Sequence, residues 1–138
     1  MAWLNAVPRP AEGASRARTN VPVPTLSRAA QMRANGIRNP LMPPNPLPHI
    51  VDRLLELGLN EAAGMGIGPV SWLTIDAWRR QTGVHLHPWE VRLIRRLSIE
   101  YVAEQRRAES ENCPPPWRWE VTEAEKKAEM AGLALIFG

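Results

Sequence analysis

The chain has 138 residues, 44% of them hydrophobic, with a formal charge of +3 and one cysteine. That length sets one domain as the default and allows only a small core. A lone cysteine excludes an internal disulfide, and no apolar run approaches the roughly 18 residues that a membrane span needs.

The charge and the prolines are unevenly placed. Nine of the fourteen prolines precede residue 49, together with six arginines and a single acid, Glu12. Residues 49–138 carry eleven bases and thirteen acids. The chain therefore reads as a basic, extended arm (1–48) joined to a slightly acidic body (49–138). A basic arm of this kind is suited to an acidic surface on a protein or a nucleic acid. Its start, MAWLNAVPRP, lacks the charged and apolar regions of a secretory signal.

Each proline in the arm fixes φ and pushes its predecessor toward extended geometry. One helical island is predicted in TLSRAAQMRANG, with Thr25 or Ser27 as N-cap and Gly36 as the stop. LMPPNPLP reads as polyproline II. Without a partner the arm is expected to be mostly disordered. Trp3, Arg16 and Arg18 stand out in it as contacts for a partner surface.

The body opens at Pro48 with HIVDRLLELGL. Ile50, Leu54 and Leu57 form a helical stripe that Gly58 ends. GMGIGPV then reads as an irregular glycine-rich hinge; it lacks the third glycine of a dinucleotide loop and any GK[ST]. A second helix is predicted from the N-cap Ser71, with Trp72, Ile75 and Trp78 on one face and Gly83 closing it. Pro88 starts a third, marked by the stripe Val91, Ile94, Leu97, Ser98, Tyr101 and Val102, which fades near Ser110. Cys113-Pro114-Pro115-Pro116 stops it. WRWEV reads as a short extended piece, and Thr122 to Glu125 as a capping box that opens a last helix ending in Leu133, Leu135, Ile136 and Phe137. The fold class expected is all-α, a small bundle of three or four short helices behind a long extended arm.

The stretch SWLTIDAWRRQTGVHLHPWE holds three of the six tryptophans and two of the three histidines. Helix, Gly-containing turn and helix is the outline of a DNA-reading helix-turn-helix. The second helix would then present Pro88, Trp89 and Glu90 to base edges, and Glu90 opposes phosphates. His85 and His87 form an H-x-H pair, but zinc needs three or four ligands, and only Glu90 and Cys113 are available as helpers. Asp76 and Glu90 lack the surrounding groups that two catalytic carboxylates need. No catalytic residue, metal or cofactor is therefore expected. Trp72, Trp78 and Trp89 most simply seal the joint between the two helices, each burying roughly 200 Å². Six tryptophans exceed what so small a core needs, so some are expected to anchor a protein interface. Trp117 and Trp119, after the triple proline, either dock on a partner's aromatic groove or fold back onto the third helix.

GPVSWLTIDAWRRQTGVHLHPWEVRLIRRLSIEYV, within Gly66 to about Trp117, resembles small proteins encoded among the tail genes of long-tailed bacteriophages. The resemblance lies in the Gly-Pro lead-in, Ser71-Trp72, Ile75 and Trp78, Thr82-Gly83, then Leu86, Pro88, Trp89 and Glu90 before a helix with Leu93, Leu97 and Tyr101. Such proteins are described as tail assembly chaperones. The resemblance implies a non-enzymatic helical protein of the host cytoplasm that binds the tape measure protein or tail-tube subunits. Two alternatives stay open: a structural virion subunit at the capsid–tail junction or on the capsid, with its arm draped over neighbours, and a small DNA-binding regulator. Expected partners are thus phage proteins, with a second copy of the chain as a further candidate. No membrane partner is expected, and the acidic body argues against nucleic acid.

Overall fold

The computed structural model describes residues 1–10 and 26–117, and beyond them the helical positions Lys127, Met130, Ala131 and Ala134. Five helices and one hairpin follow in order: α1 (Ala2–Asn5), α2 (Arg28–Ala34), α3 (Pro48–Leu57), β1 (Glu61–Ala63), β2 (Gly66–Gly68), α4 (Trp72–Thr82) and α5 (Pro88–Arg107). The expected short extended piece survives within these residues only at Trp117, which carries no strand. The last helix, from its Thr122 capping box onward, lies outside the described residues apart from those four positions.

The spine is α5, whose 20 residues extend about 30 Å. Its apolar stripe meets that of α3. Ile50, Leu54 and Ile94 form the centre of the core, surrounded by Leu47, Leu57, Leu59, Leu86, Leu93 and Leu97. The predicted boundaries of α3 hold, with Pro48 in the first turn and Gly58 at φ 111° behind the last.

The glycine-rich stretch is not the irregular hinge that its composition suggested. Glu61 to Ala63 pair antiparallel with Gly66 to Gly68, Ala63 opposite Gly66, leaving a two-residue turn at Gly64 and Met65. Gly64 takes φ 58° at the first central position, the geometry that favours glycine in hairpins of primed type. Gly68 is required for a different reason. A Cβ there would stand 2.8 Å from that of Ala63.

Both ends of this hairpin are tied to one buried side chain. Ser98, with no exposed surface, donates its hydroxyl to the Leu59 carbonyl at 2.8 Å and accepts the Val70 backbone N–H at 2.9 Å. Val70 is itself buried, and Ser71 begins α4 immediately after it.

The arm differs from the sequence expectation at its start. Residues 2–5 are helical, and α1 lies against the C-terminal part of α5, where small buried residues (Ala2 and Ala6) permit close approach. The helical island is present as α2, capped by Ser27, whose hydroxyl accepts from Ala30, with Gly36 at φ 85° beyond it. Residues 37–47 carry no helix or strand.

Arg28 at the head of α2 holds these parts together. It is buried, and its guanidinium donates to the carbonyls of Ala108, of Ser110 at 2.7 Å and of Trp3 at 3.3 Å. It also stacks 4.7 Å from the centre of the Trp3 ring. A cation on the last carbonyls of α5 complements the negative end of the helix dipole. Arg9 adds a backbone bridge, donating to Glu109 at 2.7 Å and accepting from Glu111 at 3.2 Å.

Two substitutions test this construction. Ser98→Ala removes both hydroxyl bonds from a buried site and is expected to lower the unfolding free energy by about 1–3 kcal/mol in urea denaturation. Arg28→Ala should release residues 1–10 from α5. Hydrogen exchange at Arg9 and Glu111 is then expected to accelerate while amides in α3 keep their protection.

Candidate docking surface

The corner between α4 and α5 is built by local hydrogen bonding. Ser71 caps α4, its Oγ accepting the Thr74 N–H at 3.2 Å. Thr74 Oγ1 donates to Glu61 Oε2 at 2.7 Å, which fastens the first turn of α4 to β1. That bond, with a further one from the Ser71 backbone, holds the Glu61 carboxyl below the ordinary glutamate range. Gly83 closes α4 in the left-handed region at φ 66°, as the Thr-Gly pair predicted.

At the start of α5 the Glu90 carboxylate turns back on the chain. Oε2 accepts the His87 backbone N–H at 2.7 Å, and Oε1 lies 3.3 Å from His49 Nε2 at the head of α3. One buried carboxylate thus joins two helix starts, where negative charge also meets the positive ends of the helix dipoles. The His87 backbone bond chiefly holds Glu90 below the ordinary glutamate range; His49 adds to this and burial opposes it. The sequence treated Glu90 as a metal helper or an acid, and the structure gives it capping work instead. His85 is exposed, and Asp76 is engaged by Arg80 one turn along α4. Among the described residues no group of three or more His, Cys, Asp or Glu is placed to hold a metal ion.

Among the described residues, α4 is held to the rest of the fold by side chains: Ile75, the Thr74–Glu61 bond and the stacking of Arg95 on Trp72. Ile75, almost wholly buried, is its inward anchor. Between α4 and the start of α5 runs an open groove of about 470 Å³, lined by Trp72, Arg79, Leu86, Pro88, Val91 and Arg92. Trp72 is 51% exposed and Leu73, next to it, 82%. Trp89, beside the lining residue Pro88, is 48% exposed. The Arg95 guanidinium stacks 5.2 Å from the centre of the Trp72 ring and steadies it. Trp78 is half-buried, and its indole N–H is buried without an acceptor among the described residues.

The sequence-predicted contact residues fall into three sets. Trp72 borders the groove and Trp89 adjoins it, with Trp78 on the same helix as Trp72. Trp3 is engaged within the chain, donating its Nε1–H to the Cys113 carbonyl at 2.9 Å beneath Arg28, and Trp117 is half-buried. Arg16, Arg18 and Trp119 lie outside the described residues. The expectation that the three central rings seal the helix joint is met only in part. Ile75 and Val70 fill that place, and Trp72 and Trp89 face outward. Sequence reasoning missed Arg79 and Arg92 as lining residues. Their position at the ends of the two predicted helices nearest the turn was the available signal.

Exposed rings and aliphatic side chains on a hydrogen-bonded corner make a candidate docking surface. The sequence model of the phage tail assembly chaperone family matches residues 27–104, more than half of the chain, and the chain belongs to this non-enzymatic family. The match carries the resemblance seen from Gly66 onward back to Ser27, so that it takes in α2, α3 and the hairpin. No curated protein and no solved structure matches the chain. Membership implies phage tail proteins as partners. Among the described residues no helix is long and apolar enough to cross a membrane.

The Glu90 cap has a pH signature. Its folded-state carboxyl is more acidic than in the unfolded chain, so its stabilisation is complete above the ordinary glutamate range and is lost as pH falls below about 5. Glu90→Gln is expected to be less stable than wild type at pH 7 and to converge with it in acid, followed by thermal melts across pH 3–7.

Proposed function

We propose that this chain holds a phage tail protein on the α4–α5 corner while the tail is built, and that it does so in the host cytoplasm. The observation that carries this reading is the pair of half-exposed tryptophans, Trp72 and Trp89, at an apolar groove. Tryptophans on a well-anchored scaffold concentrate binding energy, because a large ring is desolvated with few torsions to freeze. The tape measure protein is the partner favoured here, with tail-tube subunits next. The basic stretch with Arg16 and Arg18, together with Trp119, adds contacts to the same partner.

Trp72→Ala is expected to raise the Kd for the co-expressed tape measure protein about tenfold or more, while stability changes by less than about 1 kcal/mol. Trp89→Ala should behave alike. Unchanged binding in both variants would refute the placement of the surface. Mass spectrometry of finished particles should find the chain absent; a fixed copy number there would identify a virion subunit instead.

A further inference from the structure

The groove lining is mostly apolar but includes two cations, Arg79 on α4 and Arg92 on α5. Three arginines of the body have acids beside them: Arg53 has Glu56, Arg80 has Asp76 and Arg107 has Glu104; Arg95, Arg96 and Arg106 have no ion pair among the described residues but lie outside the groove lining. Arg79 and Arg92 have no ion pair among the described residues, and the Arg79 Nε–H is buried without an acceptor. Cations that flank an apolar channel without a counter-charge complement a ligand that brings carboxylates on both sides of an apolar strip.

We propose that the occupant is an amphipathic helix of the partner, with an apolar stripe seated on Trp72, Leu86 and Val91 and with Asp or Glu on both flanks opposite Arg79 and Arg92. This rests on the partner-binding reading above and specifies the chemistry of the bound segment. A helix fits because the walls are themselves two helices, and a third settles its ridges into the channel between them. Exposed rings beside arginines are also a pattern for single-stranded nucleic acid. The lining residues Leu86, Pro88 and Val91 offer aliphatic contact rather than partners for phosphates or base edges, and so favour a protein helix.

The test places a benzophenone amino acid at Val91 of the full-length chain, co-expressed with the tape measure protein of the same phage. Light-induced cross-links are mapped by mass spectrometry. The expected cross-link falls in a segment with apolar residues at helical spacing and acids on both flanks. Arg79→Glu combined with Arg92→Glu should weaken the complex about tenfold or more, and lysines in place of the mapped acids should restore it. Arg96→Glu, exposed on α5 and outside the groove, should leave binding unchanged and controls for net charge. Cross-links to a segment without acidic flanks, to a second copy of this chain, to its own residues 118–138 or to RNA would overturn the proposal, as would a complex indifferent to the double charge reversal. A complex that forms but fails these criteria leaves the chaperone reading standing. If wild type forms no complex with the tape measure protein, that reading falls and takes this one with it.

Discussion

The position of the α4–α5 corner depends on one hydroxyl group. Ser98 stands in the middle of α5 with no exposed surface, and it joins Leu59 to Val70 across the base of the hairpin. A buried serine is tolerable only where both its donor and acceptor capacity are used, and here they are. The excursion from Leu59 to Val70 is thereby closed, and Val70 is delivered to a fixed point on α5. Since α4 begins at the next residue, its starting point is fixed as well. This tie, the Glu61–Thr74 bond, the buried Ile75 and the Arg95–Trp72 stack together orient α4.

The two ends of α5 are finished by charged groups drawn from distant parts of the chain. A carboxylate caps the positive end, where Glu90 meets His87 and His49; a guanidinium caps the negative end, where Arg28 meets Ala108 and Ser110. Both groups are buried, and both are satisfied mainly by fixed backbone atoms, which favours burial of charge. The arrangement extends the folded unit beyond the α3–α5 core. That core is small, with Ile50, Leu54 and Ile94 at its centre. Polar ties at either end of one long helix compensate for limited apolar volume.

Local signals made most elements legible. Pro48 and Pro88 marked helix starts, Ser27 and Ser71 marked caps, Gly58 and Gly83 marked ends, and the α5 stripe was unmistakable. Two features escaped because they are not local. The hairpin was hidden by its glycines, since Gly68 is there for the closeness of Ala63 and not for flexibility. The docking of α1 was hidden because Arg28 reaches carbonyls 80 and 82 residues away, and nothing in the arm's own composition announces that contact. The site was half legible. Its tryptophans were evident, but periodicity placed Trp72 on the inward stripe with Ile75, and only the structure shows that Ile75 alone is buried there.

That division of labour on α4 is what makes the corner usable. A helix that buried its rings against α5 would gain stability and lose any surface to offer. Here a single isoleucine anchors the helix, and the larger apolar groups beside it remain in solvent. Leaving them exposed costs free energy in the isolated chain, at roughly 25 cal/mol for each Å² left uncovered, and that same free energy becomes available when a partner covers them. Arg95 reduces the entropic part of binding in advance. Stacked on Trp72, it restricts the ring before any partner arrives, so less freedom is lost on contact. A chaperone must also release its client. An open groove with two half-exposed rings and two lining arginines is suited to that, because charges beside an apolar contact speed encounter more than they slow departure.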